Sequence, residues 1–265
     1  MLVLAVIVLP QAVRADWDPS IPVKMHWAQL PDLSPMGIDV NATAGWILAD
    51  DFRCKQSGPI TGIHVWGSWR HDVLPGNTPV IPGDPGAVKF ALSIHEDIPK
   101  NGTIPSKPGP AVWVRQFQQH EFLVRPYMMN IQEGWLEYPD GQGYEMPGDT
   151  QCWLYNFNIP EALAFPQEVG KTYWLDVQAF PDPGFMGPEF GWKTTVPSLR
   201  WNDDAVWGFG EEPGIEIWTP MTYPVGHELE GQSMDLAFVI TPEPATMALL
   251  GLGVAGLVAR RRNKK

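Results

Sequence analysis

Short stretches of alternating apolar and polar residues, separated by clusters of Pro and Gly, constrain the fold of this chain most. In AVKFALSIHED (87–97) every second residue is apolar, the pattern of an antiparallel strand with one face in a core. The alternation places Val88, Phe90, Leu92 and Ile94 on one face. Similar stretches are GPITGIHVWGSW, AVWVRQF, QCWLYNFNI, KTYWLDVQAF and MDLAFVI. The pattern predicts an all-β chain, with a single helical turn near Glu161–Phe165.

The turn clusters lie between these stretches, and no internal repeat or linker divides them. With 26 Gly and 28 Pro the chain is poorly suited to long helices. Eight or more strands within a body of about 225 residues are typical of one β-sandwich. We therefore predict a single antiparallel β-sandwich of jelly-roll type over residues 16–240.

The body of the chain is strongly acidic. Between Asp16 and Thr241 there are 12 Lys and Arg against 29 Asp and Glu, because six of the basic residues lie in the terminal segments. Such a field repels nucleic acid and anionic membranes, and it favours solubility, cations and neutral ligands. We expect no nucleic-acid partner.

The chain has two cysteines, Cys54 and Cys152. In an oxidising compartment they are a candidate disulfide that closes a loop of about 100 residues, a stabilising link in the chain-entropy model. The alternative is two buried free thiols that pack as small apolar residues.

The N-terminal stretch MLVLAVIVLPQAVRA is predicted to be a signal peptide over residues 1–15. It has an apolar run, a Pro and small residues at Val13 and Ala15, with cleavage expected after Ala15. No Lys or Arg precedes the apolar run, and a misplaced start codon with a basic segment lost upstream is one explanation. The alternative to a signal peptide is a buried N-terminal strand, which fits poorly with Asp16-Trp17-Asp18-Pro19 directly after it.

At the other end, Ala245–Ala259 is an uncharged stretch followed by basic residues 260–265. As a helix it would be about 22 Å long, a short transmembrane segment. Its basic end is expected in the cytoplasm and the acidic domain outside. The glycines of GLGVAG (251–256) match G-x-G-x-x-G, but no βαβ unit surrounds them, and small residues in a membrane helix explain them better.

The tail, residues 241–265, has a Pro-Glu-Pro motif before the apolar span and three arginines after it: Pro242, Glu243, Pro244, Arg260, Arg261 and Arg262. This arrangement resembles the PEP-CTERM sorting signal of Gram-negative bacteria. It implies an inner-membrane-anchored precursor, processing by the membrane peptidase exosortase, and a final place at the cell surface or outside the cell. It also implies a producer of exopolysaccharide. The alternative is a permanent single-span anchor.

Phrases in the body, among them LADDFRC, VRPY, FGWKT, NDDAVWG and the closing DLAFVI, are similar to an uncharacterised group of secreted bacterial proteins. The resemblance spans residues 27–240 and implies a β-sandwich domain of unknown function. It brings no catalytic residues.

Two acidic pairs are the candidate sites for chemistry. With a nearby amide they offer oxygen ligands for calcium at a sandwich edge. One carboxylate from each pair, about 5–9 Å apart, would instead suit a glycoside hydrolase. The third interpretation is that the acids only bind backbone groups at strand ends. The residues are Asp50, Asp51, Asn202, Asp203 and Asp204. The histidines His64 and His71 flank VWGSWR and are a weaker metal candidate.

Tryptophan is abundant, with 13 residues. Exposed indoles could form a flat platform on which pyranose rings stack, whereas buried indoles would fill the core. The platform candidates are Trp66, Trp69, Trp192, Trp201, Trp207 and Trp218.

These observations favour an exported, non-enzymatic β-sandwich that is structural or associated with exopolysaccharide. The expected partners are exosortase, exopolysaccharide and, before processing, the membrane through the C-terminal tail. No cofactor is predicted apart from calcium. The rival interpretations are a carbohydrate-active enzyme, a hydrolase or lyase, and a calcium-dependent glycan-binding module.

Overall fold

A computed structural model describes residues 16–210 and 217–242 of the chain. The predicted signal peptide, the apolar span 245–259 and most of the tail lie outside the described residues. Within the described ranges the chain is built from strands and three single 3₁₀ turns, without an α-helix. No helix in this part is long and apolar enough to cross a membrane.

Fourteen strands are numbered here in chain order. They are β1 (Ile38–Asn41), β2 (Gly45–Arg53), β3 (Gly58–Pro59), β4 (Gly62–Trp69), β5 (Val88–Ile98), β6 (Lys107–Phe117), β7 (Leu123–Tyr138), β8 (Gln142–Asn158), β9 (Pro166–Gln167), β10 (Thr172–Pro181), β11 (Phe190–Lys193), β12 (Val206–Gly210), β13 (Thr219–Pro220) and β14 (Phe238–Thr241). The 3₁₀ turns are Arg70–Asp72, Glu161–Leu163 and Pro197–Leu199. The second turn confirms the one that the sequence predicted.

Within the described residues, two six-stranded sheets form most of the domain, and β3 pairs with β9 as a short two-stranded sheet. The first has the order β11-β1-β7-β8-β4-β14, and the second has the order β13-β12-β2-β10-β5-β6. Strand β11 also pairs with β4, so the pairings β4–β8–β7–β1–β11 close into a ring. Only β1 and β7 pair in parallel among these named strands. An all-β sandwich is confirmed, and its jelly-roll type stays a prediction.

The main core is apolar and receives side chains from both sheets, as the alternation in β5 predicted. Val88, Phe90, Leu92 and Ile94 of β5 are all buried in it. The opposite face of β5 was expected in solvent, and this was wrong for Ser93 and His95, which are also buried. Trp218 covers this face, with its ring 5.8 Å from the His95 ring. The middle of β5, residues 90–95, is therefore enclosed on both faces.

The outer face of the first sheet carries a second apolar cluster. The N-terminal segment covers it, and Trp17 packs edge-on against Trp66 at 5.1 Å between ring centroids. Cys152 belongs to this cluster, whereas Cys54 lies in the main core. Both thiols are free. The disulfide alternative is wrong because the two side chains lie on opposite faces of a sheet, and the free-thiol alternative is confirmed.

Candidate functional site

The two predicted acidic regions meet at one end of the second sheet. Asn202 Nδ2 donates a hydrogen bond to Asp51 Oδ2 at 2.6 Å and lies 3.5 Å from Asp203 Oδ2. Asp203 Oδ2 also accepts a 2.6 Å hydrogen bond from Ser106 Oγ. Successive side chains of a strand point to opposite faces, so Asp50 points away from Asp51. On that other face Gln29 Nε2 donates a hydrogen bond to Asp50 Oδ2 at 2.9 Å. Carboxylates from distant parts of the sequence thus converge as the enzyme hypothesis requires.

Their hydrogen bonds are those of structural acids. Asp50 Oδ2 accepts the backbone N–H of Leu236 at 2.6 Å, and Asp235 Oδ2 accepts that of Trp201 at 2.7 Å. Asp51 is fully buried beneath Asn202, which offers it an amide N–H₂ and not an oxygen. Buried carboxylates with these partners connect loops to strands. The calcium site, with Asp204 among its predicted ligands, stays a prediction.

Burial also controls the ionisation of these acids. It raises the pKa of Asp50 and of Asp51 well above the ordinary value. It raises the pKa of Asp235 to about 7, although the N–H of Trp201 and the charge of Arg200 act in the opposite direction. A buried carboxyl without a cationic partner in contact favours its neutral form.

Stability should consequently fall as the pH rises from about 4 to 7. In that window the folded state holds a proton on Asp235 that the unfolded chain releases near pH 3.8. Asp235→Asn keeps an acceptor for the Trp201 N–H but removes the titration. When the pH is raised from 5 to 8, the free energy of unfolding measured in urea should fall by on the order of 3 kcal/mol more for the wild type than for this variant. Parallel pH profiles for the two proteins would contradict the assignment.

The predicted tryptophan platform is wrong for its central members. Trp66, Trp69 and Trp192 are fully buried, so no sugar ring reaches them. The Trp192 Nε1–H donates to the carbonyl of Ala237 at 2.9 Å, as expected of a core indole. Trp201 is half-buried and stacks on His26 with ring centroids 4.4 Å apart. The core interpretation is confirmed for the three buried indoles.

A different set of rings lies at the surface, and we call it the aromatic patch. Trp46 is its centre, and its ring centroid lies 5.4 Å from Trp207, 5.2 Å from Phe209 and 6.1 Å from Tyr138. Phe209 is 70% exposed and Tyr138 is 44% exposed. Cross-strand pairing sets this arrangement, because Phe209 lies opposite Trp46 in the β12–β2 register. Trp207 is the one member of the aromatic patch that was predicted from the sequence as part of a sugar platform.

The ring of strands in the first sheet holds a buried charged group, which we call the lysine cluster. It comprises Lys193 of β11, Asp39 of β1, Glu133 of β7 and Asp149 of β8. All four are buried. Lys193 Nζ donates to Asp39 Oδ2 and to Glu133 Oε2. This cluster could not be predicted from the sequence. Each of its members is a single polar residue in a strand, and such residues are usually expected on the solvent face.

Burial is the main influence on the acids of the lysine cluster. It raises the pKa of Asp39 well above the ordinary value and that of Glu133 to about 7. For Lys193, burial alone lowers the pKa, but the charges of Asp39 and Glu133 outweigh it and raise the pKa. One oxygen from each of the three acids lies within 4.8 Å of the others, a spacing that suits a metal ion. The ammonium group of Lys193 already supplies a cation in contact with two of them.

The histidine candidates do not meet. His64 Nδ1 lies 2.7 Å from Asn156 Oδ1, and its Nε2 lies 2.9 Å from Thr241 Oγ1. Burial lowers the pKa of His64 to about 4. His71 lies beyond the other end of β4, where its Nε2 is 3.1 Å from Glu145. About seven strand residues, or roughly 20 Å, separate the two histidines.

Comparison with known families places this geometry in context. The family described as "Domain of unknown function (DUF7901)" matches residues 25–241. The chain belongs to this family. The DUF7901 match covers the two sheets, the aromatic patch and the lysine cluster. Residues 241–262 match the PEP-CTERM protein-sorting motif, which confirms the predicted tag. No curated protein matches the chain.

The sorting motif has a direct consequence for location. A PEP-CTERM motif implies a membrane-anchored precursor, processing by exosortase and a place at the cell surface or outside the cell. The DUF7901 domain itself carries no assigned activity.

Proposed function

We propose that the DUF7901 domain is a non-enzymatic, extracellular sandwich of jelly-roll type that associates with exopolysaccharide. The aromatic patch is the observation that carries this proposal. Trp46 and the three rings around it form an apolar surface that is costly for a soluble protein unless it contacts a ligand.

Sugar rings are a suitable ligand for this surface. The C–H face of a pyranose is apolar and packs on an aromatic ring, while its hydroxyl groups bond to polar neighbours. The strongly acidic body disfavours nucleic acid, and neutral or cation-bridged polysaccharide meets no such barrier. The sorting motif would bring the domain to the place where such polymers accumulate.

Affinity electrophoresis tests the proposal with the full chain in detergent, in gels that contain exopolysaccharide from the producing cells. The wild type should be retarded. Trp207→Ala with Phe209→Ala should bind at least tenfold more weakly, since stacked rings contribute about 1 kcal/mol or more each. Phe185→Ala is the matched control, because Phe185 is 67% exposed and lies outside the patch. Equal retardation of all three proteins, or no retardation of the wild type, would contradict the proposal.

A second candidate is a carbohydrate-active enzyme that uses Asp51 and Asp203. The convergence of both carboxylates on Asn202 favours it. Against it, Asp51 is fully buried and its Oδ2 already accepts a hydrogen bond from Asn202 Nδ2. We expect no new reducing ends when the protein is incubated with exopolysaccharide, with or without calcium. Release of reducing ends that Asp203→Asn abolishes would establish the enzyme instead.

A further inference from the structure

Lys193 and Asp39 form a buried cross-strand pair. They are direct partners in the antiparallel β11–β1 register, and the Lys193 Nζ contacts the Asp39 carboxyl. Glu133 reaches the same Nζ from β7, the strand on the other side of β1. The Lys193 ammonium, which becomes a nucleophilic amine once it loses a proton, thus contacts two carboxyl groups, and one of them can take that proton.

We propose that Lys193 and Asp39 condense into an intramolecular amide bond, and that Glu133 acts as the proton carrier. The bond joins Nζ of Lys193 to Cγ of Asp39. It would link β11 to β1 covalently, between positions 154 residues apart.

The chemistry balances without any oxidant or co-reactant. Glu133 accepts one proton from the Lys193 ammonium, which leaves an amine lone pair to attack Cγ of Asp39. The tetrahedral intermediate then loses a second proton from nitrogen, and one Asp39 oxygen leaves with both protons as water. The ammonium and the carboxylate become a neutral amide, and Glu133 returns to its initial state.

The surroundings favour this reaction over a permanent ion pair. Lys193, Asp39 and Glu133 are each 0% exposed, so bulk water does not compete for the amine or hydrolyse the product. Burial raises the pKa of both carboxyls, so Glu133 takes the ammonium proton more readily and can return it to the leaving oxygen. Forming an amide also removes two buried charges that are expensive to desolvate.

A metal ion is the competing occupant of this cluster. Asp39, Glu133 and Asp149 have suitable oxygens, but a divalent cation would have to displace the Lys193 ammonium from two of them. Two positive charges in one buried site repel each other strongly. The geometry therefore favours the covalent link.

Peptide mapping by mass spectrometry of the purified full chain tests the proposal. The peptides that contain Lys193 and Asp39 should be recovered joined, lighter than their sum by one water molecule. Lys193→Arg retains the positive charge but should give unlinked peptides. Asp39→Asn should still link, now with loss of ammonia. Glu133→Gln should lower the linked fraction at least tenfold in freshly made protein.

Circular dichroism shows which variants are folded. The peptide masses of the wild type test the proposal even if every variant fails to fold. Unlinked wild-type peptides of full mass would overturn the proposal, with or without a metal ion found by elemental analysis. A link from Lys193 to Glu133 would overturn the assignment of Asp39. These outcomes are independent of polysaccharide binding, because the aromatic patch and the lysine cluster share no residue.

Discussion

Replacing Lys193 with methionine should lower the free energy of unfolding by at least about 3–5 kcal/mol. Removing one partner from a buried charged group usually costs this much, since the remaining charges lose their compensation. Here two carboxyls, Asp39 of β1 and Glu133 of β7, would lose their contacting ammonium group, and Asp149 of β8 would lose a nearby positive charge. An amide between Lys193 and Asp39 would increase the loss by up to about 5 kcal/mol in the chain-entropy model. Urea unfolding at pH 7 measures the difference.

Lys89→Met is the matched control for this substitution. Lys89 is also a strand lysine, but its side chain on β5 is exposed. Its replacement should change stability by no more than about 0.5 kcal/mol. Equal stability of the two variants would show that the lysine cluster contributes nothing to the fold.

Replacing Pro242 and Glu243 with alanine should abolish processing almost completely. The chain matches the sorting motif over residues 241–262, and exosortase processing is what such a motif implies. We expect the uncleaved precursor to accumulate in the membrane fraction while the released form disappears from the medium. Immunoblots of the two fractions measure this, with Thr246→Ala as a control within the same tail. Unchanged release of the double variant would contradict exosortase processing.

Strands could be predicted from the sequence because their signal is local. The alternation in β5 specified which residues enter the core, and the structure confirms Val88 to Ile94 in those positions. The burial of His95 could not be predicted, because it depends on packing against Trp218, more than 120 residues further along the chain. Enclosure by a distant segment leaves no periodic pattern in the strand that it covers.

The tryptophan platform was predicted wrongly for a related physical reason. Indoles suit a core as well as a sugar platform, so composition alone could not separate the buried Trp66 from the half-buried Trp207. Asp51 and Asp203 could be named from the sequence because each lies in an acidic pair. Their convergence on Asn202, which an enzyme would require, could only be observed in the structure. The lysine cluster had no such signal, since its charges come together only through the pairing of β1, β7, β8 and β11.

An equilibrium binding isotherm is the most direct test of whether the aromatic patch binds exopolysaccharide. The measurement compares the full chain with its Trp207→Ala, Phe209→Ala double variant on polysaccharide from the producing cells. We expect saturable binding by the wild type and at least tenfold weaker binding by the variant. Identical isotherms for the two proteins would contradict it.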